Sequence, residues 1–300
     1  MAKPSRYYLG RVTKLGEMTS QLLIRILRDP PIITVHRSRF TVTSVEEVMS
    51  DDGRVAIYGV LAKYRPDGEV RVVDPTAHAV RPAPVQDLLW ASSDFVYVPS
   101  LSGIAYRHVS ASLPRETFRR VFSELVASSE HTLLGSAEIN AISDLRTFVR
   151  SLAHMDTVNT IFAKVRPPNP LFGPLWESLF QYVKSRGLDS LSVSETSIGG
   201  IATSLPVVAA AIDETGSIAN SARVSPSMAS GSVADSAVLM AADGYGEAVV
   251  SGTADGIKVA YATYDDQRSF SMAELPSPTS LANEAIRQLL NVNDQRGLQH

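Results

Sequence analysis

The sequence has no cysteine among its 300 residues. This absence excludes disulfide bonds, thiolate nucleophiles and every zinc site that uses sulfur ligands, and it suits a reducing compartment. No apolar run reaches the roughly 20 positions that a membrane-spanning helix requires. Residues 1–10 contain no apolar segment of the kind found in secretory signal peptides. We therefore expect a cytoplasmic protein that does not enter a membrane.

Recognisable catalytic and metal-binding motifs are also missing. The sequence has neither a glycine-rich phosphate-binding loop nor the G-x-S-x-G turn that carries a serine nucleophile. Its six histidines include no pair at the i+2, i+3 or i+4 spacing that would place two metal ligands together. The sequence therefore predicts no catalytic residue, no metal ligand and no cofactor.

The nearest approach to a metal-dependent nuclease is the pair Asp243 and Asp255 with Lys258. Such a site needs clustered carboxylates and a positioned lysine. Two residues separate Asp255 from Lys258, whereas the restriction-type pattern has one residue between the acid and the lysine. A tight turn explains Asp255-Gly256 better, so a divergent nuclease is kept only as the last alternative.

The composition, with 44% hydrophobic and 20% charged residues, is that of a globular protein with a substantial core. The first half is rich in β-branched and aromatic residues, and Asp-Gly turns separate its apolar segments. These features predict an antiparallel arrangement of strands over residues 6–13, 40–50, 55–64, 70–73, 95–98 and 104–109.

Helical spacing of apolar residues begins after residue 112. It predicts helices over 114–126 and 145–152, with Ser112 and Ser143 as their N-caps. Residues 157–189 indicate a strand–helix–strand unit, and residues 244–264 indicate a hairpin. Residues 205–212 and 233–242 indicate helices with small side chains. A final amphipathic helix is indicated over residues 281–290. We expect an α+β fold with an antiparallel β-rich N-terminal lobe (1–135), an α/β C-terminal lobe (136–292) and a frayed polar tail (293–300).

Positive charge is concentrated near the N-terminus although the net charge is −3. Residues 1–40 contain eight basic and two acidic residues, whereas residues 188–280 contain eleven acidic and three basic ones. The basic region could bind a polyanion. Equally, the two regions could attract each other within the fold or across a dimer.

Basic residues next to aromatic residues, or on the solvent side of predicted helices, are candidates for phosphate contacts. Helical arginines are more often simply a solvated face, so the pattern supports a hypothesis and not an assignment. The predicted nucleic-acid-binding residues are Lys3, Arg6, Arg11, Arg37, Arg39, Arg119, Arg120, Arg146, Arg150, Lys164 and Arg166.

The order of elements also resembles a known family. Two strands (95–98 and 104–109) precede the helix over 114–126, then a strand runs into Pro167-Pro168-Asn169-Pro170, and a late helix leads into Gly244-Tyr245-Gly246. This order resembles a prokaryotic family associated with phage defence, related to the phage-exclusion protein RexA. The resemblance implies a two-lobed homodimer that binds double-stranded DNA with little sequence preference, and it supplies no catalytic residues.

The leading hypothesis is a non-catalytic nucleic-acid-binding component of an antiphage or phage-exclusion system, with DNA favoured over RNA. An alternative is a protein–protein regulatory or sensor module that controls a partner effector through its acidic half and final helix.

Overall fold

The computed structural model describes residues 4–167, 176–205, 208, 232–273 and 276–298. Within these ranges the strands form two antiparallel sheets with six helices packed against them, which confirms the predicted α+β class. No helix in this part of the chain combines the length and apolar character needed to cross a membrane.

The strands are numbered along the chain. They are β1 (Ser5–Gly16), β2 (Ile33–Val35), β3 (Ser38–Met49), β4 (Val55–Asp74), β5 (Ala79–Val98), β6 (Gly103–Arg107), β7 (Gly135–Ala141), β8 (Thr157–Val165), β9 (Leu191–Thr196), β10 (Gly246–Ala254), β11 (Ile257–Ala262) and β12 (Ser269–Met272).

The helices are numbered in the same way. They are α1 (Ser20–Arg28), α2 (Arg115–Ala127), α3 (Leu145–Ala153), α4 (Glu177–Ser185), α5 (Val233–Met240) and α6 (Pro278–Arg296). A short π-helical turn, Ala241–Tyr245, continues α5 and leads directly into β10.

The first sheet has the order β12-β1-β6-β5-β4-β3-β2, and β7 also pairs with β1. The N-terminal part of β1 pairs with β12 and its C-terminal part with β7, so these two strands follow one another along the same edge of β1. On the opposite edge, β1 pairs with β6, for example Tyr8 with Tyr106. Strand β1 therefore contacts three other strands.

Both faces of the first sheet are covered, and the two-residue period of β1 explains how. Tyr7 and Leu9 face the core that contains α6. Val12, on the alternate face, lies in the core formed with α1 and α2. Successive residues of one strand thus serve two separate hydrophobic layers.

Sequence patterns did not predict α1, although its signals are present. Thr19 is the N-cap and its side chain accepts a hydrogen bond from the Leu22 amide. Leu23, Ile26 and Leu27 are buried at helical spacing.

Two predicted N-caps were wrong by one or two residues. Helix α2 begins after Pro114 and not after Ser112, and its cap makes no side-chain hydrogen bond. Asp144, not Ser143, caps α3 by accepting a hydrogen bond from the Thr147 amide at 3.2 Å. Ser143 is instead buried, and its hydroxyl donates a hydrogen bond to the Thr263 carbonyl.

The second sheet has the order β11-β10-β8-β9 and is antiparallel throughout. Helices α3, α4 and α5 contribute to its core. Because β8 and β9 are antiparallel, the right-handed crossover rule for parallel strands does not apply to the predicted strand–helix–strand unit. The predicted helix over 205–212 falls mostly outside the described residues.

The two sheets interleave along the chain. β12 and α6 return to the first sheet after the second sheet is complete. A division at residue 135 would therefore assign these two elements, and β7 as well, to the wrong sheet. The predicted frayed tail was wrong for 293–298, since Asn293, Arg296 and Leu298 are buried.

Helix α6 should contribute strongly to the stability of the first sheet. Leu289 is fully buried, and its side chain lies where a Cβ on Gly103 would be. We expect Leu289→Ala to lower the free energy of unfolding by about 2–5 kcal/mol, because it leaves a cavity. Leu133, which is 96% exposed, provides the matched control: Leu133→Ala should change it by less than about 0.5 kcal/mol. Urea denaturation would measure both, and equal effects would contradict this packing.

Candidate functional site

A cluster of aromatic and basic side chains surrounds Tyr8 on the face of β1 that also packs against α2. The Arg115 guanidinium lies 5.3 Å from the centroid of the Tyr8 ring. The His108 ring meets the Tyr8 ring edge-on, with the centroids 5.8 Å apart. Such a combination of cations and π faces is common where proteins bind polyanions or nucleic-acid bases.

The scaffold behind this cluster is rigid. Tyr8 is paired in register with Tyr106 of β6, and the Tyr106 ring stacks on Phe118 of α2 at 4.4 Å. Phe118 is fully buried, which fixes the rotation of α2 about its axis. Arg115 and Arg119, three residues before and one residue after Phe118, therefore lie beside the two tyrosines.

Arg119 is close enough to influence the ionisation of Tyr106. Burial raises the pKa of Tyr106 to about 12, and the positive charge of Arg119 opposes that rise. Within the described residues, the Nε of Arg119 and the Nδ1 of His108 are buried without a hydrogen-bond partner. Arg6 follows the same face of β1, two residues from Tyr8, and its carbonyl accepts from the His108 amide at 3.0 Å.

We call Arg6, Tyr8, His108, Arg115 and Arg119 the Tyr8 patch. Its border is partly acidic, because the Arg115 Nε pairs with the Glu116 carboxylate at 2.6 Å. A further Arg115 nitrogen donates to the backbone carbonyl of Asp265 at 3.3 Å. The positive potential of the patch is therefore local.

A second polar cluster lies in the interior, where β1, α6 and the π-helical turn meet. We call it the Arg11 junction; it consists of Arg11, Asp243, Asn293 and Arg296, with the indole of Trp176. Arg296 pairs with the Asp243 carboxylate at 2.6 Å and donates to the Ala242 carbonyl at 2.9 Å.

Further hydrogen bonds of the junction come from Trp176 and Arg11. Trp176 Nε1 donates to the second Asp243 oxygen at 2.7 Å. Arg11 donates to the Leu101 carbonyl at 2.8 Å and to the Asn293 side chain. Burial lowers the pKa of Arg11, and the Arg296 charge lowers it further, whereas Tyr245 and Asp243 act in the opposite direction. The cluster holds a buried carboxylate between two sheets with most of its polar atoms paired.

The π-helical turn brings its backbone unusually close to Arg11. Gly244 has φ of +89°, a region that side-chain-bearing residues rarely adopt. A Cβ at Gly244 would lie 2.6 Å from the Arg11 Cγ. Glycine is therefore required here by both conformation and space. π-Helical turns often mark functional positions, but the contacts of this one are those of a structural junction.

Comparison with protein-family models places the chain in one family. A model described as a domain of unknown function, DUF4747, matches residues 20–212. The chain belongs to the DUF4747 family. Comparison with curated proteins finds none that matches. In this DUF4747 chain, His108, Arg115 and Arg119 lie inside the matched range, whereas Arg6 and Tyr8 precede it.

The predicted nucleic-acid-binding residues do not form one surface in the DUF4747 chain. Arg6 and Arg119 belong to the Tyr8 patch, and Arg120 is exposed on the same helix. The others occur on different elements. Arg37 and Arg39 are exposed near the β2–β3 turn, and Arg146 and Arg150 are exposed on α3. Lys164 is exposed on β8, and Arg166 is half-buried just after that strand. Lys3 lies outside the described residues.

Two of the predicted residues are engaged within the fold. Arg11 is 1% exposed and belongs to the junction, so its assignment to a binding surface was wrong. The two-residue period of β1 places it on the face opposite Arg6. Arg166 pairs with Glu138 of β7 at 3.2 Å and so links the two sheets.

The nuclease hypothesis fails for its named acids. Asp243 is buried and paired with Arg296, whereas Asp255 is exposed in the β10–β11 turn. The nine residues of β10 separate them, which places them on the order of 30 Å apart. In the described ranges, no group of three or more His, Asp or Glu side chains is arranged to hold a metal ion.

Tyr8, His108 and Arg115 are the patch residues that the predicted set did not contain, and Arg115 is the one of them with a clear sequence signal. The signal was its i, i+4 spacing to Arg119 on α2. Its proximity to Tyr8 depends on how α2 is placed on the sheet, which the sequence pattern does not give.

The junction predicts a large difference between two arginines of α6. Arg296→Met removes the partner of a buried carboxylate and should lower the free energy of unfolding by about 3–5 kcal/mol. Arg287→Met, on the exposed side of the same helix, breaks an exposed ion pair with Glu284 and should have little effect. Chemical denaturation of both variants checks this; equal stabilities would show that the Asp243–Arg296 pair is not needed.

Proposed function

We propose that this DUF4747 protein is a non-catalytic nucleic-acid-binding protein, with double-stranded DNA favoured over RNA. The observation that supports the proposal is that Arg115 lies over the Tyr8 ring, with Arg6 on the same face of β1 and Arg119 beside the neighbouring Tyr106. Arginines on such a surface can contact successive phosphates, and phosphate contacts carry no sequence information. The proposal is therefore one of low sequence specificity.

Because the chain is acidic overall, nucleic-acid binding would have to occur at a locally basic part of its surface. With a net charge of −3, most of the surface repels a polyanion, so binding depends on a local basic area. Such binding weakens steeply as salt rises, because each phosphate contact releases condensed counterions.

The biological setting we propose is antiphage defence or phage exclusion in the cytoplasm, where phage DNA is accessible. This part rests on the resemblance in element order to the RexA-related family.

A protein–protein regulatory module is the second candidate, and the protruding end of the β4–β5 hairpin, with exposed Val73 and Val80, favours it. A partner complex that survives high salt, without any DNA binding, would support the second candidate over the first.

The patch predicts which arginines determine affinity. We expect the double variant Arg6→Gln/Arg115→Gln to bind duplex DNA about tenfold or more weakly and to reduce the salt slope by about two, since two phosphate contacts are lost. Fluorescence anisotropy with labelled duplex, single-stranded DNA and RNA, titrated at several salt concentrations, measures both quantities.

The matched control makes the same chemical change elsewhere. Arg146→Gln/Arg150→Gln removes two exposed arginines of α3, outside the patch, and should leave affinity within about twofold. Equal losses in both double variants would locate binding outside the Tyr8 patch. Absence of binding by the unaltered protein at low salt would refute the proposed function.

A further inference from the structure

The outer part of the β4–β5 hairpin extends beyond the first sheet. β3 pairs with β4 no further than Tyr64, and β5 reaches β6 only from Phe95 onward. Residues 65–89 therefore form a two-stranded ribbon, which we call the arm, and neither of its edges pairs with another described strand. A two-stranded ribbon is marginally stable in water unless further strands or a helix join it.

The two edges of the arm are chemically different. Pro82 and Pro84 of β5 are in register with Arg71 and Glu69 of β4. Proline lacks an N–H, so these pairs occupy the non-hydrogen-bonded positions of the ladder, where backbone groups point away from the partner strand. On the β5 edge the outward donors are therefore missing at two alternate positions, which blocks the addition of a strand.

The β4 edge is open by the same geometry. Glu69 and Arg71 direct their N–H and C=O groups outward, and so do Asp67 and Val73 two residues to either side. Each of these four residues has an amide donor. Pro66 occupies the alternate position, where its missing donor does not interrupt this outward row. The arm thus has one protected edge and one edge able to accept a strand.

We propose that this open edge pairs with the same edge of a second copy of the chain, antiparallel about a two-fold axis at Val70. The result is a four-stranded ribbon, β5–β4 of one protomer continued by β4–β5 of its partner. This inference does not depend on the proposed nucleic-acid binding.

The charged residues of the β4 edge favour a second copy of the same strand as the partner, and they favour one register of pairing over others. A two-fold axis at Val70 places each Glu69 opposite an Arg71 of the other copy, twice per dimer, and each Asp67 opposite Val73. An axis at Gly68 would oppose Arg65 with Arg71 and Asp67 with Glu69, all like charges. An axis at Glu69 would oppose Asp67 with Arg71 twice, but it would also place the two Glu69 side chains opposite each other at the centre. Opposite-charge cross-strand pairs stabilise a sheet and like-charge pairs destabilise it. Of these three registers, the one centred on Val70 alone has opposite-charge pairs and no like-charge pair, so it is the favoured two-fold arrangement.

The side chains that would pair are free to do so in the described monomer. Glu69 and Arg71 are exposed, and each faces a proline across the hairpin. Val73 is 73% exposed at the end of the arm. A second copy would cover it in part.

The test uses the full chain without nucleic acid and measures the dimer dissociation constant by sedimentation velocity over a range of concentrations. Arg71→Glu and Glu69→Arg each create two like-charge pairs and should raise the dissociation constant about tenfold. The exchange variant Glu69→Arg/Arg71→Glu restores both pairs and should return it to within about threefold of the original value. Circular dichroism confirms that each variant is folded.

The control variant, Arg81→Glu, makes the same change of charge on the protected β5 strand and should leave the dissociation constant unchanged. Four results would overturn the proposal: a monomer at every concentration, a dimer insensitive to both single variants, an exchange variant weaker than either single variant, or equal weakening by Arg81→Glu. None of these results bears on DNA binding by the Tyr8 patch.

Discussion

The Asp243 carboxylate, held between Arg296 and the Trp176 indole, joins the parts of this protein. Its position follows from the π-helical turn that ends α5 and begins the central strand of the second sheet. Its arginine partner comes from α6, which packs on the first sheet. Arg11, from the middle of β1, packs beside Gly244 of the same turn. Its guanidinium also donates a hydrogen bond to the side chain of Asn293 on α6. The second sheet thus contributes the buried carboxylate, and the helix on the first sheet contributes the arginine that pairs with it.

Charged groups in an interior require complete pairing, since removing them from water is unfavourable by several kcal/mol per ion. Most of that pairing is supplied here by backbone carbonyls as well as by side chains: Leu101 for Arg11, and Ala242 and Ser143 for Arg296. A rotation or shift between the sheets would leave these ions unpaired. The junction therefore fixes one relative position of the sheets, which hydrophobic contact alone would specify less sharply.

Strand β1 connects this junction to the candidate binding surface. Its residues alternate between the two faces, so Arg11 points into the junction while Arg6 and Tyr8 belong to the patch on the other face. The family match begins at residue 20 and so omits β1. The match ends at residue 212, so it also omits β10 of the second sheet. Both β1 and β10 are needed to complete the two sheets.

Local patterns predicted much of the secondary structure because they depend on neighbouring residues. The Asp-Gly turn before β4 and the apolar stripe of α2 are examples. Arg11 was misassigned because its hydrogen-bond partners, Leu101 and Asn293, are 90 and 282 positions away in the sequence. Alternation along β1 could have separated Arg6 from Arg11, but not shown which face is solvent-exposed. Arg115 and Tyr8 meet only through the packing of α2, and the return of α6 to the first sheet is a long-range choice that no local signal encodes.

We expect the junction to make the two sheets one cooperative unit in unfolding. The chain has two tryptophans, and Trp90→Phe in the hairpin leaves Trp176 of the junction as the sole tryptophan, which can be excited selectively over the tyrosines. Urea unfolding of this variant, followed by Trp176 fluorescence and by far-ultraviolet circular dichroism, compares the junction with the whole fold. Coincident transitions with a single midpoint are the predicted result. A Trp176 transition at clearly lower urea, with most secondary structure retained, would contradict the claim, because the sheets would then be stable without the junction.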